Sequence, residues 1–308
     1  MATVSSPPPG NPLVALEPEV ERLLRRHLET AKEWFPHEFV PWERGRSFAD
    51  EPWQDADSHL DVTARTALEL NLLTEDNLPS YHLALWRLFG GEGAWGEWAR
   101  RWTAEEGRHS IAIRDYLVTT RAVDPVALER ERMEHVARGY APRSITVAEP
   151  YDALIYLTLQ ELATRIAHRN TGAITGDPVA ERLLVRVALD ENLHYAFYRD
   201  LAAAAIELDA SAMVLAMRRQ VPGFAMPGFE LRDFRKRALS IAAAGIYDLR
   251  IHRDQVLSPV LLKHWRLREL RGLGEEADRA RDDVLGFLDG LADAVADPDT
   301  QETRAEGV

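Results

Sequence analysis

The sequence predicts an all-α fold, a bundle of long antiparallel helices with additional helices around it. Three observations predict it. Apolar residues recur at helical spacing over most of the chain. Helix starts and stops are marked again and again, by Asp-Pro pairs at Asp124-Pro125 and Asp177-Pro178 and by glycines at Gly90-Gly91, Gly139 and Gly172. No segment shows the period-two alternation of a strand.

Taken in order, a first helix is expected from about Pro18 to Glu33, and loop residues rich in Trp, Pro and Gly from Trp34 to Trp53. A long helix follows from about Leu60 to Phe89 and stops at Gly90-Gly91. Pro79 lies inside it and cannot supply the N–H for the Glu75 carbonyl, so a kink is expected there. The next helix covers about Ala94 to Arg121. Asp124 caps a shorter one that ends near Gly139, and Pro150 opens another that ends near Gly172. Asp177-Pro178 opens a helix to about Leu208, and further helices are expected over 209–220, 232–252 and 274–296. The periodicity is continuous enough for a single domain over 17–296, between disordered tails at 1–16 and 297–308.

Chemistry enters through two of the ten histidines. Each has a glutamate three residues before it, in WTAEEGRHS (Glu106, His109) and in ALDENLHYA (Glu191, His194). Three residues turn a helix by about 300°, so each pair shares one face. A single E-x-x-H is common by chance. Here each is preceded by a further glutamate in an apolar stretch, Glu75 31 residues before Glu106 and Glu161 30 residues before Glu191. At ~1.5 Å per residue, going up one helix and back down its antiparallel neighbour brings the two levels together. Four helices then aim four carboxylates and two imidazoles at one place, the ligand set of ferritin-like dimetal carboxylate proteins.

Read one at a time, these residues are equally surface acids and satisfied histidines; the doubled spacing is what separates the two readings. Glu161 lies in YDALIYLTLQELATRIAH, where few positions face water. Buried unpaired carboxylates cost several kcal/mol each, and two divalent cations would balance four of them. Oxygen and nitrogen donors without thiolate suit iron or manganese better than structural zinc.

Composition excludes other classes. The chain has 308 residues and no cysteine, so disulfides, iron–sulfur clusters and zinc-thiolate sites are out. A net charge of −13 argues against a nucleic-acid partner. No apolar run approaches the ~20 residues of a membrane span, and the first residues lack the pattern of a secretory signal, so a cytoplasmic location is expected.

The words around the ligands carry a family resemblance. LTEDNLPSYH, WTAEEGRH, LQELATRIAHRNTG and DENLHYAFYRD resemble the ligand helices of the soluble acyl-[acyl-carrier-protein] desaturases, with the likeness running from about Arg26 past Asp233. The resemblance implies a homodimeric di-iron enzyme. Such an enzyme uses O₂ and electrons from reduced ferredoxin to insert a cis double bond into an acyl chain on acyl carrier protein, in fatty acid and lipid biosynthesis. It implies Glu75, Glu106, His109, Glu161, Glu191 and His194 as iron ligands. It also implies Thr164 beside the oxygen-binding side, and Trp34 and Asp190 on an electron route. Asn192-Leu193 departs from the plant enzymes, which carry a basic pair there, and Trp86 and Arg87 replace smaller residues near the acyl channel. The same fold also serves oxidases, hydroxylases and carrier-binding pseudo-enzymes, so the reaction is not fixed by fold. A ribonucleotide reductase small subunit is disfavoured, because Ile113 stands where its radical tyrosine would be. Iron storage is disfavoured by the extra helices.

Two further expectations concern the substrate. The small residues Ala202 to Ala205 allow close helix packing or room for an acyl slot. An acidic carrier needs a local positive surface, and the densest candidate is Arg232, Arg235, Lys236 and Arg237, with Arg218 and Arg219 nearby and Arg25, Arg26 and Lys32 next in line.

Overall fold

The structure is a computed structural model and describes residues 11–142, 145 and 149–296. Of the tails expected at 1–16 and 297–308, residues 1–10 and 297–308 lie outside these residues, while 12–16 belong to the first helix. The described residues contain no strand, and no described helix is long and apolar enough to cross a membrane.

Helix α1 (Pro12–Thr30) begins six residues earlier than the sequence suggests. Asn11 caps it, accepting from the Leu13 N–H at 3.0 Å. Pro18 therefore sits inside a helix rather than opening one. Contacts from elsewhere hold this first stretch: the Trp95 indole donates to the Leu13 carbonyl at 3.0 Å, and the Ala94 N–H donates to Glu17 at 2.8 Å.

The long helix expected from Leu60 to Phe89 is parted into α2 (Val62–Asp76) and α3 (Leu78–Phe89). Asn77 makes the break and is fully buried. Its amide donates to the Tyr140 carbonyl at 2.9 Å, and its side-chain oxygen accepts from the Ser80 hydroxyl at 3.0 Å. Pro79 falls in the first turn of α3, where its missing N–H costs nothing. Glu75 thus stands one residue from the end of α2.

Helices α4 (Gly93–Thr119), α5 (Pro125–Ala137), α6 (Pro150–Ile174), α7 (Pro178–Leu208), α8 (Ala210–Gln220) and α11 (Glu275–Ala296) follow the sequence expectation within a few residues. The most extensive helix packing joins α6 and α7. They run antiparallel: Thr164 bonds Glu191, while Gly172 meets Glu181 and Leu184. A Cβ on Gly172 would lie 3.2 Å from Leu184, tighter than an ordinary contact, so this close approach favours glycine. Helix α2 packs on α4, and α1 lies against both α4 and α7.

The single helix expected over 232–252 is corrected. Helix α9 (Phe234–Ala243) stops before Gly245, which has φ +71°. The chain restarts at Asp248, whose side chain accepts from the Ile251 N–H at 2.6 Å. It then continues as α10, one helical turn over Leu249–Ile251 running into a π-helix over His252–His264. The wider π turn spoils the 3.6-residue periodicity, and Pro259 reads as a breaker, so the sequence hides this helix.

Candidate dimetal centre and acyl cavity

Four helices supply the centre. Glu75 comes from α2, Glu106 and His109 from α4, Glu161 from α6, and Glu191 and His194 from α7. All six are buried; Glu161, His109 and His194 are wholly inaccessible. They form two groups that could each hold a metal ion. One is Glu75, Glu106, His109 and Glu191; the other is Glu106, Glu161, Glu191 and His194. Within each, ligand atoms lie within 4.8 Å of one another. Glu106 and Glu191 belong to both, so two cations held there would share them.

Several of the ligand atoms have no hydrogen-bond partner. These include Nδ1 of His109 and of His194, Oε1 of Glu106 and Oε2 of Glu161. His194 Nδ1 is 2.8 Å from Glu106 Oε1 and 3.6 Å from Glu161 Oε2. His109 Nδ1 is 3.3 Å from both Glu106 Oε2 and Glu191 Oε1. Lone pairs facing lone pairs in a dry interior need either protons or cations between them. A divalent pair fits this donor set.

The electrostatics express the same crowding. Burial alone would push the His109 and His194 imidazoles down, but the surrounding carboxylates, Glu106 among them, hold both well above their ordinary value. Burial raises Glu161 far above the carboxylate range, and the negative charge of Glu191 adds to it. Glu75 is lowered instead: burial opposes ionisation, but contacts with His109 and His168 outweigh it.

An outer ring fixes the inner one. Thr164 donates to Glu191 Oε2 at 2.8 Å, Trp102 donates to Glu161 Oε1 at 3.0 Å, and His168 Nε2 lies 2.8 Å from Glu75 Oε1. The Trp34 indole donates to Asp190 Oδ2 at 2.7 Å, and that same oxygen lies 3.5 Å from His109 Nε2. Arg108 and Arg186 both pair with Asp190 and stand over the Trp34 ring. Burial raises the Asp190 carboxyl, yet His109, Trp34 and Arg186 bring it down to about 2. The structure therefore joins Trp34, Asp190 and His109 in one chain of contacts.

Sequence reasoning missed Glu105, His27 and His168. Glu105 is buried on α4, and its Oε2 lies 2.9 Å from the Nε2 atoms of both His194 and His27. A signal for it existed: an acid precedes the ligand glutamate in both units, Glu105 before Glu106 and Asp190 before Glu191.

Beside the carboxylates runs an apolar cavity of about 330 Å³. Its outer end lies among Leu239, Ala243 and Arg250, all exposed, and its inner end at Thr74 and Thr164. A smaller space of about 40 Å³ continues from Thr74 and Thr164 past Glu75, Glu106 and Glu191 to Leu85 and Tyr156. Ala202 and Ala205 line neither space and are buried within the helix core.

These features sit in a chain whose residues 12–306 match the family model described as fatty acid desaturase. The chain belongs to the fatty acid desaturase family. It is 46% identical over 277 residues to a provisionally named acyl-[acyl-carrier-protein] desaturase, DesA1, of Mycobacterium tuberculosis, covering 87% of this chain and 82% of that one. It is 32% identical over 235 residues to a chloroplastic stearoyl-[acyl-carrier-protein] 9-desaturase of Arabidopsis thaliana, covering 70% of this chain and 59% of that one. The X-ray structure of a Mycobacterium tuberculosis protein titled as acyl-ACP desaturase DesA2 superposes with a TM-score of 0.70 at 28% identity, over 88% of this chain and 99% of that one. The helical, ferritin-like architecture of this desaturase is therefore shared with that solved structure, and it is an enzyme of an oxidoreductase family.

The basic residues expected to dock a carrier are mostly spoken for. Arg232 pairs with Glu134 at 3.0 Å, Arg237 with Glu131 at 2.6 Å, Arg218 with Glu276 at 2.8 Å, and Arg219 with Asp152 at 2.8 Å. Arg235 and Lys236 lie on the exposed side of α9, whose Phe234 and Ala238 line the large cavity.

Proposed function

We propose that this desaturase inserts a cis double bond into an acyl chain carried on acyl carrier protein. One observation carries the reading: two groups of metal-ligating side chains share Glu106 and Glu191, and an apolar cavity reaches Thr74 and Thr164, which also line the smaller space against Glu75, Glu106 and Glu191. Glu75 and His109 would hold one iron, Glu161 and His194 the other, with Glu106 and Glu191 between them. Two irons held there would supply reductive activation of O₂ and removal of hydrogen from an unactivated CH₂. In balance, –CH₂–CH₂– with O₂, two electrons and two protons gives –CH=CH– and two waters.

The chain's own residues have narrower tasks. The apolar cavity wall keeps the acyl chain straight and excludes water from the carboxylates. Thr164 holds Glu191 by its hydroxyl and lines both spaces, so it stands where O₂ and substrate meet. Trp34 and Asp190 lead from the α1–α2 connection to His109 and suit the passage of electrons from reduced ferredoxin. Arg235 and Lys236 at the cavity's outer end suit an acidic carrier that feeds its acyl arm inward. Val185 and Leu189, exposed one turn apart on α7, offer apolar surface for a homodimer.

Oxygen uptake tests the reaction. With the iron-loaded protein, ferredoxin, its reductase and acylated carrier, one O₂ should disappear per acyl chain converted. Uptake of the same size without the acyl carrier would contradict the reading and indicate an oxidase.

A further inference from the structure

The two imidazoles are backed unequally. The acid that precedes the glutamate of each E-x-x-H pair crosses to the histidine of the other pair. Asp190 reaches His109, and Glu105 reaches His194. There the symmetry ends. Asp190 continues to an indole and two guanidinium groups and meets its imidazole at 3.5 Å. Glu105 meets His194 at 2.9 Å, and the same Oε2 atom takes His27 Nε2 at 2.9 Å. Arg101 pairs with the other oxygen of Glu105 at 2.5 Å, and Arg108, shared with Asp190, lies 3.7 Å from it. His27 belongs to α1, which supplies none of the six ligands. It is nearly inaccessible, stacks 5.9 Å from the His194 ring and stands edge-on to Trp98 at 5.1 Å.

We propose that Glu105 and His27 form a positioning pair for His194, and that the cation held by Glu161 and His194 therefore depends on the docking of α1 while its neighbour does not. The inference rests on the two-iron reading above. A carboxylate that accepts from Nε2–H leaves the Nδ1 lone pair of His194 facing Glu106 and Glu161, which is the tautomer and orientation a metal needs. The second donor, His27, pins Oε2 so that the carboxylate cannot rotate away. Removing Glu105 leaves a buried N–H without an acceptor and frees the ring to turn or change tautomer. The alternative, that His27, Glu105 and His194 themselves hold a third cation, is disfavoured because both Nε2 atoms already make hydrogen bonds to Glu105, whereas the inward Nδ1 of His194 makes none.

The test is anaerobic loading of the full-length protein with ferrous iron, read by iron equivalents and by the Mössbauer spectrum, which distinguishes the two positions. Wild type should take two equivalents. Glu105→Ala should keep the first and weaken the second by about 10–100-fold. Glu105→Gln should restore most of it, since its amide oxygen still accepts from His194. His27→Ala should shift the same position in the same direction but less. Helicity is followed throughout. If Glu105→Ala loses its fold, His27→Ala alone carries the comparison. Unchanged second-site affinity, or equal loss at both sites with native helicity, overturns the inference, as does a third equivalent in wild type that vanishes in His27→Ala. Wild type that fails to take two irons overturns the two-iron reading instead.

Discussion

Thr164 is the residue where several demands meet. Its hydroxyl lies 2.8 Å from Glu191 Oε2, and also 3.1 and 3.2 Å from the Gln160 and Glu161 carbonyls of its own helix. With the carboxylate ionised, the single proton goes to Glu191, because a charged acceptor makes the stronger bond. Thr164→Val keeps the shape and removes that donor. We expect unchanged iron content and turnover about tenfold lower, with more O₂ consumed per double bond; measuring both quantities on one sample checks it. Trp34→Phe addresses the electron route. It leaves a ring beneath Arg108 and Arg186 but removes the donor to Asp190, so the loaded site should reduce more slowly in stopped-flow mixing with reduced ferredoxin. An unaltered rate would take Trp34 off the route. The six inner side chains were legible in the sequence because their spacing repeats. His27 and His168 were not, because each meets its carboxylate across 78 or 93 residues of chain, with no local pattern to mark it.

At the scale of elements, the parting of α2 from α3 sets where Glu75 stands. Asn77 replaces the lost helical bonds with its own, to the Tyr140 carbonyl and the Ser80 hydroxyl. Pro79 marked an irregularity, but nothing in the local pattern showed that a buried asparagine would turn a kink into a break. The π-helical part of α10 was less legible still. It carries His252, buried against Phe224 at a ring distance of 4.8 Å and bonded to the Tyr247 hydroxyl at 2.8 Å. Burial pushes its imidazole down to about 4. The folded value lies below the unfolded one, so the unfolded chain binds the proton more readily at intermediate pH. Stability from this group is complete above about pH 6.5 and falls between there and pH 4, by up to about 3 kcal/mol. Thermal melts across this range should show His252→Phe losing stability less steeply than wild type. Parallel slopes would mean that His252 is not what makes α10 acid-sensitive.

For the whole molecule, the question is how a chain of net charge −13 receives an acidic carrier. The basic segment around α9 was legible as a cluster, but its neutralisation was not: Glu131 and Glu134, which pair with Arg237 and Arg232, come from α5, about a hundred residues earlier. Arg235 and Lys236 are the exposed cations of α9 beside the cavity. Arg235→Glu with Lys236→Glu should raise KM for the acylated carrier several-fold at low salt and less at high salt, with iron content unchanged. An unaltered KM would move docking elsewhere. The cavity and the carboxylates together make the central claim, that a tethered acyl chain is oxidised beside two metal ions. Mass spectrometry of the acyl chain after incubation with O₂, ferredoxin and its reductase tests it most directly. The account predicts a chain short by two hydrogens, with a cis double bond, absent when Glu161→Ala replaces wild type. A chain that gains an oxygen atom, or returns unchanged while O₂ is consumed, would contradict it.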